Sequence, residues 1–113
     1  MQGLPFSLDG EGQVLISWMS RRKAYWSISK DRTKDFAPRV ATPSEGGRQA
    51  FPIAVANRQG EILFAWQEDV QVHWALYKKD GSFLNHRCIA GPLPGKNKPT
   101  AFIGADDRFY LVF

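Results

Sequence analysis

Short apolar segments alternate along the chain with clusters of glycine, proline, asparagine and aspartate. Segments such as 14–16 and 62–66 are apolar at successive positions, and no window keeps the 3.6-residue apolar period of an amphipathic helix. Turn-forming residues separate the segments, as at 9–12, 57–60, 79–81 and 106–107. The pattern predicts ten strands, at 4–8, 14–19, 24–30, 39–42, 51–57, 62–67, 70–78, 87–90, 100–105 and 109–113.

The strands belong to an internal sequence repeat. Two pairs of similar segments lie 48 positions apart, 12–18 with 60–66 and 25–28 with 73–76. Two further pairs lie 47 positions apart, 52–56 with 99–103 and 61–66 with 108–113. The sequence therefore predicts one domain over 1–113, with two four-stranded repeats at about 4–50 and 51–98 and a half repeat at 99–113.

A four-stranded repeat of this length is typical of a β-propeller blade. Strands that are apolar on both faces suit this architecture, because each blade covers its neighbour. We therefore predict an all-β fold of tandem four-stranded antiparallel blades, about two and a half in number. The alternative is a ten-stranded β-sandwich or barrel, in which the sequence repeat would be incidental.

Composition and charge narrow the function classes. The net charge is +4, and much of the positive charge lies between Arg21 and Arg48. This mildly favours an anionic partner, and we interpret the stretch as a solvated sheet edge that opposes aggregation rather than as a nucleic-acid surface. No intrachain disulfide can form, because Cys88 is the only cysteine.

The sequence does not assign a compartment. No segment approaches the length of apolar sequence that a membrane span needs. The first residues lack the charged start and apolar run of a signal peptide. We expect the chain to be either cytoplasmic or part of a larger exported protein.

The segment SKDRTKDF resembles the Asp-box of sialidases and related β-propellers, whose pattern is Ser-x-Asp-x-Gly-x-Thr-Trp. Ser29, Asp31 and the aromatic Phe36 match, whereas Thr33 replaces the glycine and Asp35 replaces the threonine. The resemblance implies a structural turn between the third and fourth strands of a blade. In such a turn Asp31 would accept backbone amides, Ser29 would tie the strand end and Phe36 would cover the turn.

A sialidase site also needs an arginine triad, a tyrosine–glutamate pair and an acidic carboxylate, drawn from most blades of a six-bladed ring. The chain has no Phe-Arg-Ile-Pro-like segment, because 51–53 lacks the arginine and 37–40 lies on the wrong strand. We therefore predict a non-catalytic binding or assembly module in which the fold is kept without the chemistry. The alternative is a fragment of a sialidase-like glycoside hydrolase.

In propellers, the connections between strands two and three and between successive blades usually open on the ligand face. Here these connections carry the candidate binding residues Arg21, Arg22, Glu45, Arg48, Glu68, Asp69 and Lys96. As a binding site they would hold a glycan or another anionic ligand. In the hydrolase alternative, Glu68 or Asp69 would act with Glu45 as acid and nucleophile, with Arg22 or Arg48 holding the substrate. A third interpretation treats them as solvated loop charges.

No metal site or cofactor is predicted. His73 lies in a predicted strand and His86 in a predicted turn, and neither has an Asp, Glu or Cys at a recognised ligand spacing. Both histidines are interpreted as structural.

The four tryptophans recur at the repeat period, as Trp18 with Trp66 and Trp26 with Trp74. This predicts that they pack between blades. Propellers close with typically about four to eight blades, so two and a half repeats would expose two blade faces. We expect partners to cover these faces, either copies of the same chain or further blades of a larger propeller.

Overall fold

The computed structural model describes residues 6–9, 11–30, 35–44, 47–90 and 98–113. These ranges contain ten strands and no helix. The strands are β1 (Phe6–Leu8), β2 (Val14–Ser20), β3 (Lys23–Ile28), β4 (Val40–Ala41), β5 (Gln49–Ala56), β6 (Glu61–Glu68), β7 (Gln71–Lys78), β8 (Phe83–Ala90), β9 (Thr100–Ile103) and β10 (Phe109–Val112).

The strands form three antiparallel sheets, and consecutive strands are neighbours in each of them. The first sheet contains β1 to β4, the second β5 to β8, and the third β9 and β10. None of the three closes into a barrel within the described residues. The predicted all-β fold with antiparallel strands is confirmed.

Strand register follows the sequence repeat. Phe6 pairs with Ile16 in the first sheet, and 48 positions later Ala54 pairs with Phe64 in the second. The same shift relates the pair Trp18–Tyr25 to the pair Trp66–His73. In the third sheet, the pair Ala101–Leu111 lies 47 positions beyond Ala54–Phe64. Equivalent residues of the three sheets therefore occupy equivalent places in the pleat.

A similar tight turn joins the first two strands of each sheet. The Asp9 Oδ1 atom accepts the amides two and four residues later, at 2.9 and 2.7 Å. The Asn57 Oδ1 atom does the same at 3.1 and 2.9 Å. In the third sheet Gly104 takes this place, and a Cβ there would come within 2.5 Å of the Tyr110 ring. Each turn has a positive φ at its fourth position, which is Gly12, Gly60 or Asp107.

Most predicted strand bounds lie within two residues of the observed ones, and the eighth strand differs most. The fourth strand is only Val40–Ala41, and β5 begins at Gln49. A bulge at Phe51 and Pro52 interrupts the pairing of β5 with β6, and this edge position tolerates a proline. The eighth strand begins at Phe83, so His86 lies within a strand and not in the predicted turn.

The second sheet lies between the other two and is packed on both faces. Its Phe64 and Trp66 face the first sheet, in a core that includes Leu15, Trp26 and Ile28. Its opposite face packs on the third sheet in a second core, formed by Val55, Leu63 and Ala101 with Ile53, Trp74, Ile103, Phe109 and Leu111 around them. Alternate side chains of β6 thus serve two cores, as expected for a sheet between two others.

Polar contacts also cross from the first sheet to the second. The Lys79 ammonium lies 2.6 Å from the buried Asp9 carboxylate. The Tyr77 hydroxyl donates to the carbonyl of Ala41 at 3.0 Å, and burial raises the pKa of this phenol well above its ordinary value. Buried groups that are paired in this way fix how one sheet sits on the other.

The two outer faces of the stack carry apolar side chains that no described sheet covers. The front face, on the first sheet, consists of Phe6, Leu8, Val14, Ile16 and Trp18. The rear face, on the third sheet, consists of Thr100, Phe102, Tyr110 and Val112. The rings of Phe102 and Tyr110 stack with centroids 5.3 Å apart, and both are substantially exposed.

Candidate functional site

Three connections meet at one end of the sheets: the β2–β3 turn, the β4–β5 connection and the β6–β7 turn. The Gln49 amide donates to the Arg22 carbonyl at 3.2 Å. Arg48 and Asp69 bond reciprocally, since the Asp69 amide donates to the Arg48 carbonyl at 2.8 Å and the Arg48 amide donates to Asp69 Oδ1 at 2.9 Å. The structure therefore brings five of the predicted residues to one end. We name them the charged turn cluster: Arg21, Arg22, Arg48, Glu68 and Asp69.

The arginines of this cluster are exposed. Arg21 and Arg22 form a two-residue hairpin turn with φ values of 50° and 68°, which a type I′ turn requires at both central positions. Asparagine and glycine adopt this conformation most easily, so two arginines occupy it at some cost in backbone strain. Among the described residues, no ion pair involves Arg21, Arg22 or Arg48.

A glycine makes the close approach of the β4–β5 connection possible. Gly47 has a φ of 80°, and a Cβ there would lie 2.6 Å from Glu68 Cγ and 2.7 Å from Asp69 Oδ2. Any side chain would collide with both acidic residues in a conformation that L-residues rarely adopt. Gly47 therefore lets Arg48 reach the β6–β7 turn.

Glu68 is the buried member of the charged turn cluster. Its Oε1 atom accepts hydrogen bonds from the Trp66 indole N–H at 3.2 Å and from the side-chain Nε2 of Gln49 at 3.0 Å. Its Oε2 atom accepts the Ser44 hydroxyl at 2.7 Å. The side-chain Oε1 of Gln49 accepts the backbone N–H of Ala24 at 2.7 Å. The network therefore runs from the first sheet into the second. Both carboxylate oxygens are thus engaged by groups of the chain itself, which suits a structural role.

A histidine pair lies beside this network. His73 Nδ1 and His86 Nε2 are 3.0 Å apart, so one ring donates to the other. Both rings stack on Trp66, with centroids 5.5 and 5.6 Å from it. Burial and the neighbouring His73 hold the pKa of His86 below its ordinary value, against the opposing effect of the Glu68 carboxylate.

No local pattern in the sequence indicates this pair. The sequence predicts a turn at His86, whereas β8 begins at Phe83 and places His86 in the strand beside β7. The signal that could have found it is the length of the Asp80–Gly81 turn. A tight turn there makes the following residues pair with β7 at once, with Phe83 opposite Tyr77. A register shift directly after this pair then places His86 opposite Ala75.

The remaining predicted residues are only partly described. Glu45, Lys96 and Asp31 lie outside the described residues, so the predicted partner of Glu68 in a hydrolase cannot be placed. Ser29 is buried, its hydroxyl accepts the Val14 amide at 2.8 Å, and it therefore ties the end of β3 to the start of β2. Phe36 forms an isolated bridge with Ser29 and is 38% exposed.

Searches for a metal site, a membrane-spanning helix and similar proteins identified no further feature of the described residues. Among the described residues, no group of three or more histidine, cysteine, aspartate or glutamate side chains is arranged to hold a metal ion. No helix in the described ranges is long and apolar enough to cross a membrane. Comparison with protein-family models, with curated proteins and with solved structures found no match to this chain.

Proposed function

We propose that the three sheets are blades of a β-propeller-type architecture, and that the chain is a non-catalytic binding and assembly module for a glycan or another anionic ligand. The repeat supports the blade assignment, because equivalent strands pair in equivalent registers. The stacking supports it as well, because the second sheet is packed against a neighbour on each face. A two-sheet sandwich would cover only one face of each sheet.

One observation carries the ligand proposal: exposed arginines that form no ion pair with any described residue gather at one end of the sheets, where three connections meet. A guanidinium group presents a planar set of donors that matches carboxylate, sulfate or phosphate groups. Arginine occupies positions 21 and 22 although both have a positive φ, where glycine or asparagine would relieve the backbone strain. Such a placement suits a ligand with several acidic groups.

The described carboxylates favour binding over hydrolysis. Glu68 is buried, and both of its oxygens accept hydrogen bonds from the chain. Asp69 is exposed, but its Oδ1 atom holds the Arg48 amide. Glu68 therefore cannot donate a proton to a leaving group or attack a sugar without breaking its contacts, and Asp69 keeps one oxygen on the Arg48 amide.

The experiment is a glycan array carrying neutral, sialylated and sulfated glycans, followed by calorimetry with the best binder. We expect binding of acidic glycans only. The double variant Arg21→Ala/Arg22→Ala should weaken it at least about tenfold, since each charge-assisted contact is worth roughly 1.5–3 kcal/mol. The matched control Lys30→Ala/Lys78→Ala removes the same charge at the opposite end and should change affinity less than about threefold.

Two results would contradict the proposal. Equal losses in both double variants would mean that net charge alone attracts the ligand, without a site. Hydrolysis of a chromogenic sialoside by the purified chain, lost in Glu68→Gln, would identify the chain as part of a glycoside hydrolase.

A further inference from the structure

The two open faces of the stack are related through the repeat to the faces that pack inside it. The front-face residues Phe6 and Leu8 lie 48 positions before Ala54 and Ala56, which are buried against the first sheet. They are 71% and 63% exposed, whereas the two alanines are 5% and 9% exposed. Ile16 and Trp18 correspond in the same way to Phe64 and Trp66. The front face is therefore the same side of the repeat that the second sheet buries against the first.

The rear face corresponds to the opposite side of the repeat. Phe102 and Tyr110 lie 47 positions after Val55 and Leu63, which are buried against the third sheet. Phe102 is 48% exposed, whereas Val55 is 8% exposed. The rear face is thus the side that each of the first two sheets presents to the sheet that follows it.

We propose that the front face of one chain packs on the rear face of a second copy, head to tail, in continuation of the interface that joins the sheets within each chain. Both internal interfaces join opposite sides of the repeat, the rear side of one sheet to the front side of the next. A symmetric dimer would instead join two front faces or two rear faces, an arrangement that the internal packing never uses. The repeat therefore gives the direction of the contact, and a second copy carries the matching face for each open side.

The side chains on the open faces favour this contact. Phe6 and Leu8 stand where the internal interface has alanines, so the front face offers more apolar area for burial than its internal equivalent. On the rear face, the stacked rings of Phe102 and Tyr110 present a flat apolar surface. Because the contact is heterologous, each added chain again exposes one front and one rear face. The assembly then grows until it closes into a ring.

This inference concerns the sheet faces and does not depend on the arginines of the charged turn cluster. The experiment is light scattering behind a sizing column over a hundredfold range of concentration. The full 113-residue chain is compared with one variant for each face, Phe6→Asp and Phe102→Asp. We expect the unaltered chain to have a mass of several times 12.8 kDa. Each variant alone should be a monomer, because a head-to-tail contact needs one intact face of each kind from different chains.

The decisive sample is an equimolar mixture of the two variants. The Phe102→Asp chain keeps its front face and the Phe6→Asp chain keeps its rear face, so together they form one contact and stop. We expect a discrete species of twice the monomer mass that appears only in the mixture. A dimer of either variant alone would show that like faces pair, and would overturn the proposal.

Two controls keep the outcome interpretable. Val70→Asp places the same charge at an exposed apolar residue in the β6–β7 turn, away from both faces, and should leave the mass of the assembly unchanged. Circular dichroism must show that each variant keeps its strands, and Leu8→Asp and Val112→Asp replace either variant that does not fold. A folded, unaltered chain that stays monomeric at every concentration would refute self-association, whatever the glycan array shows.

Discussion

Trp66 and Trp18 occupy the same place in successive repeats but differ in their surroundings. Trp66 lies in the second sheet, is fully buried against the first, and bonds to Glu68. Trp18 lies on the outer face of the first sheet, is only half-buried, and stacks on Tyr25. The difference shows that position in the stack decides burial, because both strands carry the same apolar pattern.

The comparison extends to the whole sheets. Within the described part of the chain, the second sheet is covered on both faces, whereas the first and third are each covered on one. Apolar burial is the largest favourable term in folding, so stability should be concentrated in the second sheet. The outer faces of the other two sheets are then available for contacts outside the described unit.

The sharpest test of this difference is a pair of equivalent truncations. Trp66→Ala should lower the free energy of unfolding by about 3–5 kcal/mol, because it leaves a cavity between two sheets. Trp18→Ala should lower it by about 1 kcal/mol or less in the monomer, because its ring is only half-buried and stacks on Tyr25 on the open face. Urea unfolding followed by tryptophan fluorescence and circular dichroism gives both values.

These truncations are best measured in the Phe102→Asp background, in which head-to-tail contacts are blocked. A cost below about 1 kcal/mol for Trp66→Ala would break the comparison, since the buried position would then contribute no more than the open one. Equal large costs for both variants would mean that the first sheet is covered on both faces in solution.

A smaller effect should come from the polar network between the first and second sheets. Gln49→Ala removes the acceptor of the Ala24 amide and a donor to Glu68, all in buried positions. Leaving such groups unpaired should cost about 1–3 kcal/mol. The control is Gln71→Ala, an exposed residue at the start of β7, which should cost less than about 0.5 kcal/mol. Similar midpoints for the two variants would show that water satisfies the network.

Much of the fold could be predicted because the repeat and the turn residues are local signals. Asp9 and Asn57 each begin a turn that their own side chain stabilises, and both turns were placed from the sequence. The pairing of neighbouring strands followed from short connections. The repeat predicts that all four tryptophans pack between sheets: Trp26, Trp66 and Trp74 do, whereas Trp18 lies on the open front face.

The candidate site was predictable only in outline. The connections between strands two and three of a repeat and between successive repeats were expected to lie at one end of the sheets. The structure brings Arg22, Arg48 and Asp69 together there. The Gln49 side chain bonds to Glu68 because a bulge resets the β5 register and places Gln49 opposite Glu68. Such contacts depend on tertiary packing, and no local pattern in the sequence encodes them.

The smallest expected effect is a dependence of stability on pH in the second sheet. The pKa of His86 lies below its ordinary value of 6.5 in the folded chain, first because of burial and then because of His73 on β7 and Arg87 beside it. Glu68 on β6 opposes this shift. The unfolded chain therefore binds more protons as pH falls through about 6.5, so stability should decrease between about pH 7.5 and pH 5.5.

The variant His86→Gln removes the titrating group and should flatten the melting temperature over this range. The Asp9 carboxyl does not contribute to the change in stability over this pH range. Burial alone would raise the pKa of its carboxyl, but bonds from Lys79, Gln13 and Glu11 outweigh this and hold the pKa below 3.8. Its contribution to stability is therefore lost only at more acidic pH. If His86→Gln kept the full slope between pH 7.5 and pH 5.5, another group would be responsible. The histidine pair would then not distinguish the covered sheet from the open ones.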